Sequence, residues 1–152
     1  MNLYFRLIRV VLQAWLGKHE NPMEPTQVTF RVWPFDLDLN IHMNNARYLS
    51  WMDLGRVYHM GVTGLYRKSI QRKWMPVVGH IDIKFIKPLP PFAKVTLRTE
   101  IHGHDEKYFD IRQTFFYQDH PMAIAHVKGI FVSKKEGKIH PQAVIDALKL
   151  EK

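Results

Sequence analysis

Cysteine is missing altogether from the 152 residues. Its absence excludes a disulfide framework, a thiolate metal site and a cysteine nucleophile, and it fits a reducing compartment such as the cytoplasm. Acidic residues are scarce as well: 14 Asp and Glu stand against 22 Lys and Arg, a net charge of +8. Such an excess favours polyanionic partners. There is no arginine-rich tract and no nucleic-acid motif, so nucleic acid is not expected, and a phosphate-bearing small molecule uses the charge better. Long apolar runs are missing too. The apolar start, Met1–Leu16, is broken by Arg6 and Arg9 and followed by no small-residue cleavage site. It is too short and too charged to span a bilayer, and a poor signal peptide. Internal repeats and low-complexity tracts are also absent. What remains is one domain's worth of chain, long enough to bury a real core.

Within Met1–Leu16 the residues Asn2, Arg6, Arg9 and Gln13 recur at helical spacing and form one narrow polar stripe on an otherwise apolar helix. Two readings stay open. The helix packs on its own domain or a second subunit, or it lies on a membrane surface as a basic amphipathic helix making peripheral contact through residues 1–16. Gly17 stops it, and His19–Pro25 has the composition of a linker. The expected division is therefore a helix and linker over 1–20 and a single domain over 21–152.

Thr26–Trp33 alternates as a first strand, with Val28, Phe30 and Val32 on one face, and Pro34 ends it. A helix is expected from Asn44 or Asn45, either of which can cap it, to about Met60, before Gly61 and Gly64. Its apolar residues occupy most of its circumference, so it should be surrounded by protein. Leu65–Lys73 is basic and reads as a surface loop or short helix. Four further strands follow, over Val77–Lys87, Ala93–Ile101, Tyr108–Tyr117 and Met122–Val132, the last apolar on both faces and so central. Short connections such as Pro88-Leu89-Pro90-Pro91 predict antiparallel neighbours throughout. Pro141–Leu150 closes the chain as a helix. The fold class is α+β: a curved antiparallel five-stranded sheet wrapped around a long central helix, with an extra N-terminal helix.

The densest polar chemistry lies between the first strand and the long helix, in Pro34-Phe35-Asp36-Leu37-Asp38-Leu39-Asn40-Ile41-His42-Met43-Asn44-Asn45-Ala46-Arg47-Tyr48. A polar loop emptying into a buried helix gathers side chains and free backbone N–H groups at one spot. Taken singly, these residues have ordinary readings. An Asp before a helix is often a turn or capping residue, Asn44-Asn45 a cap, and a lone His structural. Asp53 interrupts the helix's main apolar stripe, with Arg56 three residues on, which reads as a buried charge with its partner.

As a whole, Asp36-Leu37-Asp38-Leu39-Asn40-Ile41-His42-Met43-Asn44-Asn45-Ala46-Arg47-Tyr48-Leu49 resembles the loop-to-helix signature of hotdog-fold thioesterases of the 4-hydroxybenzoyl-CoA thioesterase type. Its wording is closest to the thioesterase-superfamily member 6-like group, and its Asp-x-Asn-x-His-x-Asn-Asn part is similar to the equivalent run of plant acyl-ACP thioesterases. The resemblance covers about Thr26 to Val132. It implies a sheet wrapped around a central helix and two subunits paired edge to edge, with the thioester site at their interface. It implies Asp38 as the carboxylate that acts on the thioester, Asn40 and His42 as further active-site positions, and Asn44, Asn45 and Tyr48 at the helix entry. Asp53 is the reserve catalytic carboxylate, because another hotdog branch keeps its acid on the central helix. Two departures stand out: Ile41, where many relatives have Gly or a polar residue, and Pro-Leu-Pro-Pro-Phe at 88–92, where a Gly-Asp turn is common.

The expected chemistry is hydrolysis of an acyl or aryl thioester, with coenzyme A as the expected carrier and acyl-carrier protein the alternative. Asp38 acts as general base on water or as nucleophile; the N–H groups near Asn44–Arg47 polarise the carbonyl; His42 orients water or protonates the thiolate. No cofactor is expected. The scattered His102, His104, His120, His126 and His140 lack a compact ligand pattern, so no metal is expected either. A hotdog hydratase is disfavoured, because Asp38 and His42 have three residues and no proline between them. A binding protein of the same fold with little turnover remains the non-enzymatic alternative, and self-association as a dimer or tetramer is expected in either case.

Overall fold

The structure is a computed structural model and describes residues 2–17, 21 and 23–149. In chain order the helices and strands are α1 (Asn2–Leu16), β1 (Thr26–Arg31), α2 (Asn45–Thr63), α3 (Leu65–Arg72), β2 (Met75–Phe85), β3 (Lys94–His104), β4 (Phe109–Tyr117), β5 (His120–Ser133), β6 (Gly137–Ile139) and α4 (Pro141–Lys149). The expected linker, His19–Pro25, lies partly outside the described residues.

The strands pair antiparallel in the order β1-β3-β4-β5-β2, and the short β6, which alternation alone does not reveal, pairs with the end of β5. β5 is interior, as its two apolar faces imply. One expectation fails here. The proline-rich link does not join neighbours, because β2 and β3 stand at different places in the sheet with β4 and β5 between them. Three inter-strand steps of about 4.8 Å separate them in a flat sheet. The extended segment 86–93 reaches at most roughly 26–29 Å, enough to cross a curled one. Prolines suit that crossing, since it has no ladder to donate to.

α2 fills the concave side of the sheet. Trp51, Met52, Tyr48 and Leu54 are buried against Phe30, Val95, Leu97 and Phe115, while Ala123 and Ala125 of β5 leave room for the helix. Each large side chain so enclosed contributes about 1.5–3 kcal/mol. At Gly55 the helix comes so near β3 that a Cβ would stand 2.8 Å from Leu97 Cδ2. α2 runs past Gly61, its expected limit, and the missing side chain there admits α1, with Ala14 Cβ 2.7 Å from where a Gly61 Cβ would be. It ends at Gly64, whose φ of +82° is the left-handed cap. A smaller cluster around Trp74, Phe109, Phe131 and Val144 seals the end where α4 sits.

α1 packs on α2 with Arg6 of its polar stripe turned inward, while Arg9 and Gln13 stay exposed at the rim. Arg6 is buried between the helix and the domain, beside Val10 and Ala14. Arg6 Nη2 donates to the Arg31 carbonyl at 3.1 Å and Arg9 Nη2 to the Thr29 carbonyl at 2.6 Å. These two arginines occupy outward carbonyls of β1, so α1 covers that edge of the sheet, whereas among the described residues β2 at the other edge stays open.

Candidate active site

The loop between β1 and α2 is built on Asp36. After a 3-10 turn over Pro34–Asp36, this side chain is fully buried. Arg6 grips it with two bonds, Nη1–Oδ1 at 2.8 Å and Nη2–Oδ2 at 2.5 Å. Arg47 Nε lies 3.4 Å from Oδ1, and the Trp33 N–H donates to Oδ2 at 2.8 Å. A carboxylate so enclosed is structural, and it leaves Asp38 as the accessible acid of the loop.

Asp38 is half-buried. Its Oδ1 accepts the N–H of Asn40 at 2.9 Å and of His42 at 3.3 Å, while its own N–H donates to the His42 carbonyl at 2.8 Å. Asp38, Asn40 and His42 are thus brought together in one closed turn, pinned by a bridge between Leu37 and Met43. Among the described residues both side-chain bonds fall on Oδ1, which leaves Oδ2 available. To close the turn, Ile41 adopts φ of +59°. That is a left-handed conformation glycine takes freely and a β-branched residue does not, which is the physical content of the departure at this position. The other departure also touches the site: the crossing segment forms a wall, with the fully buried Leu89 accepting the Met43 N–H at 3.0 Å.

Asn44, not Asn45, is the cap of α2, its Oδ1 accepting the Ala46 N–H at 2.9 Å. The expected row of free N–H groups is narrower than the sequence implies. Asn44 N–H donates to the Asp36 carbonyl and Arg47 N–H to the Asn44 carbonyl. Among the described residues the helix start keeps the N–H of exposed Asn45 unengaged. Tyr48 is a core residue at the loop's floor, its ring edge-on to Phe85 and Phe115 at 5.0 Å. Burial pushes its phenol up to about 12; a hydrogen bond with the Leu89 backbone opposes this, and the nearby Asp38 charge adds to it.

Asp53 is not brought to the loop: eight residues beyond Asn45, it lies roughly 12 Å further along the helix. Its side chain is 73% exposed, so the expected buried pair is half wrong. Arg56 is the enclosed partner, 3.3 Å from Asp53, and burial holds its guanidinium below the ordinary value while Asp53 opposes this. Arg56 Nη1 also donates to Gln113 Oε1 at 2.8 Å. Gln113, completely buried, donates from Nε2 to the Met52 carbonyl at 2.9 Å and to Thr99 Oγ1 at 3.0 Å. Sequence reasoning missed this cluster. Its one signal was Gln113 interrupting the inward set Phe109, Ile111 and Phe115. The cluster borders a cavity of about 150 Å³ under the second half of α2, walled by Val57, Met60, Val77, Ile101 and Phe131.

Residues 32–147 match the family model described as Thioesterase-like superfamily. The chain belongs to this superfamily. Within the superfamily, it is 26% identical over 137 residues to Protein THEM6 of Drosophila melanogaster, covering 89% of this chain and 69% of that one. It is 39% identical over 85 residues to Protein THEM6 of Danio rerio, covering 56% of this chain and only 42% of that one. Its fold resembles that of the YbaW probable thioesterase from Escherichia coli, with a TM-score of 0.75 and 19% identity over 81% of this chain and 96% of that one. It also resembles that of the protein SAV2348 from Staphylococcus aureus, solved in complex with CoA, with a TM-score of 0.68, 15% identity and 84% of each chain covered. The sheet curled around α2 is the hotdog fold.

Proposed function

We propose that the protein hydrolyses an acyl or aryl thioester of coenzyme A to the free acid and thiol. The observation that carries this reading is the Asp38 turn, a half-buried carboxylate held by two backbone N–H groups at the entry of α2, in a chain of the thioesterase-like superfamily. Asp38 Oδ2 takes the proton of an attacking water, or attacks the carbonyl carbon itself to give an anhydride that water then opens. The Asn45 N–H, at the positive end of the α2 dipole, stabilises the charge on the carbonyl oxygen. His42 and Asn40 position the water. The net charge of +8 suits the phosphates of coenzyme A, the group seen bound to the Staphylococcus aureus protein of the same fold.

The open β2 edge supports self-pairing. It exposes Met75, Val77, Val78 and Phe85 along an 11-residue strand with one unpaired side. A two-fold axis across it reverses every direction parallel to the strand, bringing the loop end of one α2 toward the cavity half of its partner's. An acyl group attached at one Asp38 then enters the other copy's apolar cavity. Residues 2–16 are read as a peripheral membrane contact; no helix among the described residues is long and apolar enough to cross a membrane.

A panel of acyl-CoAs followed by thiol release tests the activity, and a chain without cysteine adds no background. Turnover of at least one substrate is the expected result. Saturable binding with no turnover supports the binding-protein reading, which the use of Asp38 as cap of its own turn favours.

A further inference from the structure

α1 holds Arg6 on the inside and Arg9 at its rim against β1. With Arg6 buried and Arg9 bonded to Thr29, the arc facing away from the domain holds Tyr4, Phe5, Ile8, Leu12, Trp15 and Leu16, from 49% to 80% exposed. Single exposed apolar residues are ordinary, but a continuous uncharged face along a whole helix is not. Beside it, between α1 and β1, runs a groove of about 570 Å³ that includes Leu16 of the apolar arc in its wall. Among the described residues its cations are Arg9, Arg31 and Lys94, and none of its lining side chains is a carboxylate. Arg31 and Lys94 are direct partners across the β1–β3 ladder. Like charges so placed repel unless an anion lies between them. Both guanidiniums are steadied by carbonyls, Arg9 by Thr29 and Arg31 by Phe92 at 2.9 Å, which hold them in place without cancelling their charge.

An uncharged aromatic-rich ridge bordered by a groove carrying Arg9, Arg31 and Lys94 matches a lipid interface, where apolar chains lie beneath anionic headgroups. A second copy fits worse, since an isologous contact brings each basic groove near its own image. We propose that this face docks on bilayers containing anionic phospholipid, with the outer arc of α1 in the acyl region and Arg9, Arg31 and Lys94 on headgroup phosphates. This rests on the reading of residues 2–16 as a membrane contact and is independent of the thioesterase reading. Docking also bears on the loop. Arg6, on the same helix, holds Asp36 and covers the ring of Phe35 at 5.4 Å, so the docked helix orients the Asp38 turn relative to the membrane.

The test is co-sedimentation of the full chain with vesicles of phosphatidylcholine alone or mixed with phosphatidylglycerol. Binding to the mixed vesicles should be roughly tenfold or more tighter and weaken with salt. Arg31→Gln with Lys94→Gln should remove that preference, and Ile8→Gln with Trp15→Gln should remove binding to both, while thermal unfolding monitors the fold. If the parent chain binds neither vesicle, the membrane reading itself fails. Equal binding to both vesicles, unchanged by the Arg31 and Lys94 replacements, keeps the membrane contact but overturns the headgroup groove. Self-association that Ile8→Gln with Trp15→Gln abolishes, with no vesicle binding, overturns the proposal in favour of a second copy. If the Ile8 and Trp15 variant does not fold, the Arg31 and Lys94 variant still decides.

Discussion

Arg6 and Asp36, thirty residues apart, form a two-pronged ion pair at 2.8 and 2.5 Å that joins the N-terminal helix to the base of the Asp38 loop. The Arg6 guanidinium also lies 5.0 Å from the ring centre of Trp51, which stacks on Phe30 at 4.9 Å. Arg6→Ala leaves a fully buried carboxylate with Arg47 as its remaining cation. A cost near the lower end of roughly 3–5 kcal/mol is expected in denaturant unfolding, because Arg47 and the Trp33 N–H stay. Asp36→Asn with Arg6→Met should cost less than the two single changes added together. Strict additivity would show that the pair is not coupled.

Ile41→Gly should raise stability. The residue is 64% exposed and sits at φ of +59°, so the change removes left-handed strain of about 1–2 kcal/mol and little burial. The greater freedom of glycine in the unfolded chain takes back about 0.5–1 kcal/mol. The net is an increase of up to about 1.5 kcal/mol, read as a higher unfolding midpoint. A lower midpoint contradicts the strained turn.

Gly55→Ala should destabilise by about 1–3 kcal/mol, since the new methyl meets Leu97 at 2.8 Å and Thr99 Oγ1 at 3.0 Å. Chemical denaturation measures this directly, and an unchanged midpoint would mean that α2 does not approach β3 so closely.

Much of the fold is legible in the sequence, and what is not legible shares one cause. Val28, Phe30 and Val32 alternate, and Asn44 caps, through interactions between residues near in sequence. Periodicity also finds the Arg6–Arg9 stripe, but it cannot say which way the stripe turns, because the buried partner Asp36 lies thirty residues on. The same limit hid the crossing over Pro88–Phe92: linker length bounds reach, not strand order. At the candidate site the cluster Asp38, Asn40 and His42 was visible as a motif. The engagement of the Ala46 and Arg47 N–H groups by Asn44 was not, since it depends on which Asn caps.

Alkaline pH should expose Tyr48. Its phenol titrates near 12 in the folded chain and near 10 unfolded, so folding binds its proton more tightly. The stability it contributes is complete below pH 10 and falls as pH rises toward 12, by about 2–3 kcal/mol in all. Urea midpoints of the parent chain and Tyr48→Phe across pH 9 to 12 check this. The parent should lose stability more steeply, and parallel slopes would argue against a buried phenol.

The most direct measurement is kcat for the preferred acyl-CoA in the parent chain and in Asp38→Asn, with Kd for the desulfo analogue alongside. Asn keeps the acceptor oxygen for the Asn40 and His42 N–H groups and removes the base or nucleophile. A fall of roughly 10²–10⁴-fold in kcat is expected with Kd nearly unchanged. Full activity in Asp38→Asn would contradict the assignment of this turn as the active site.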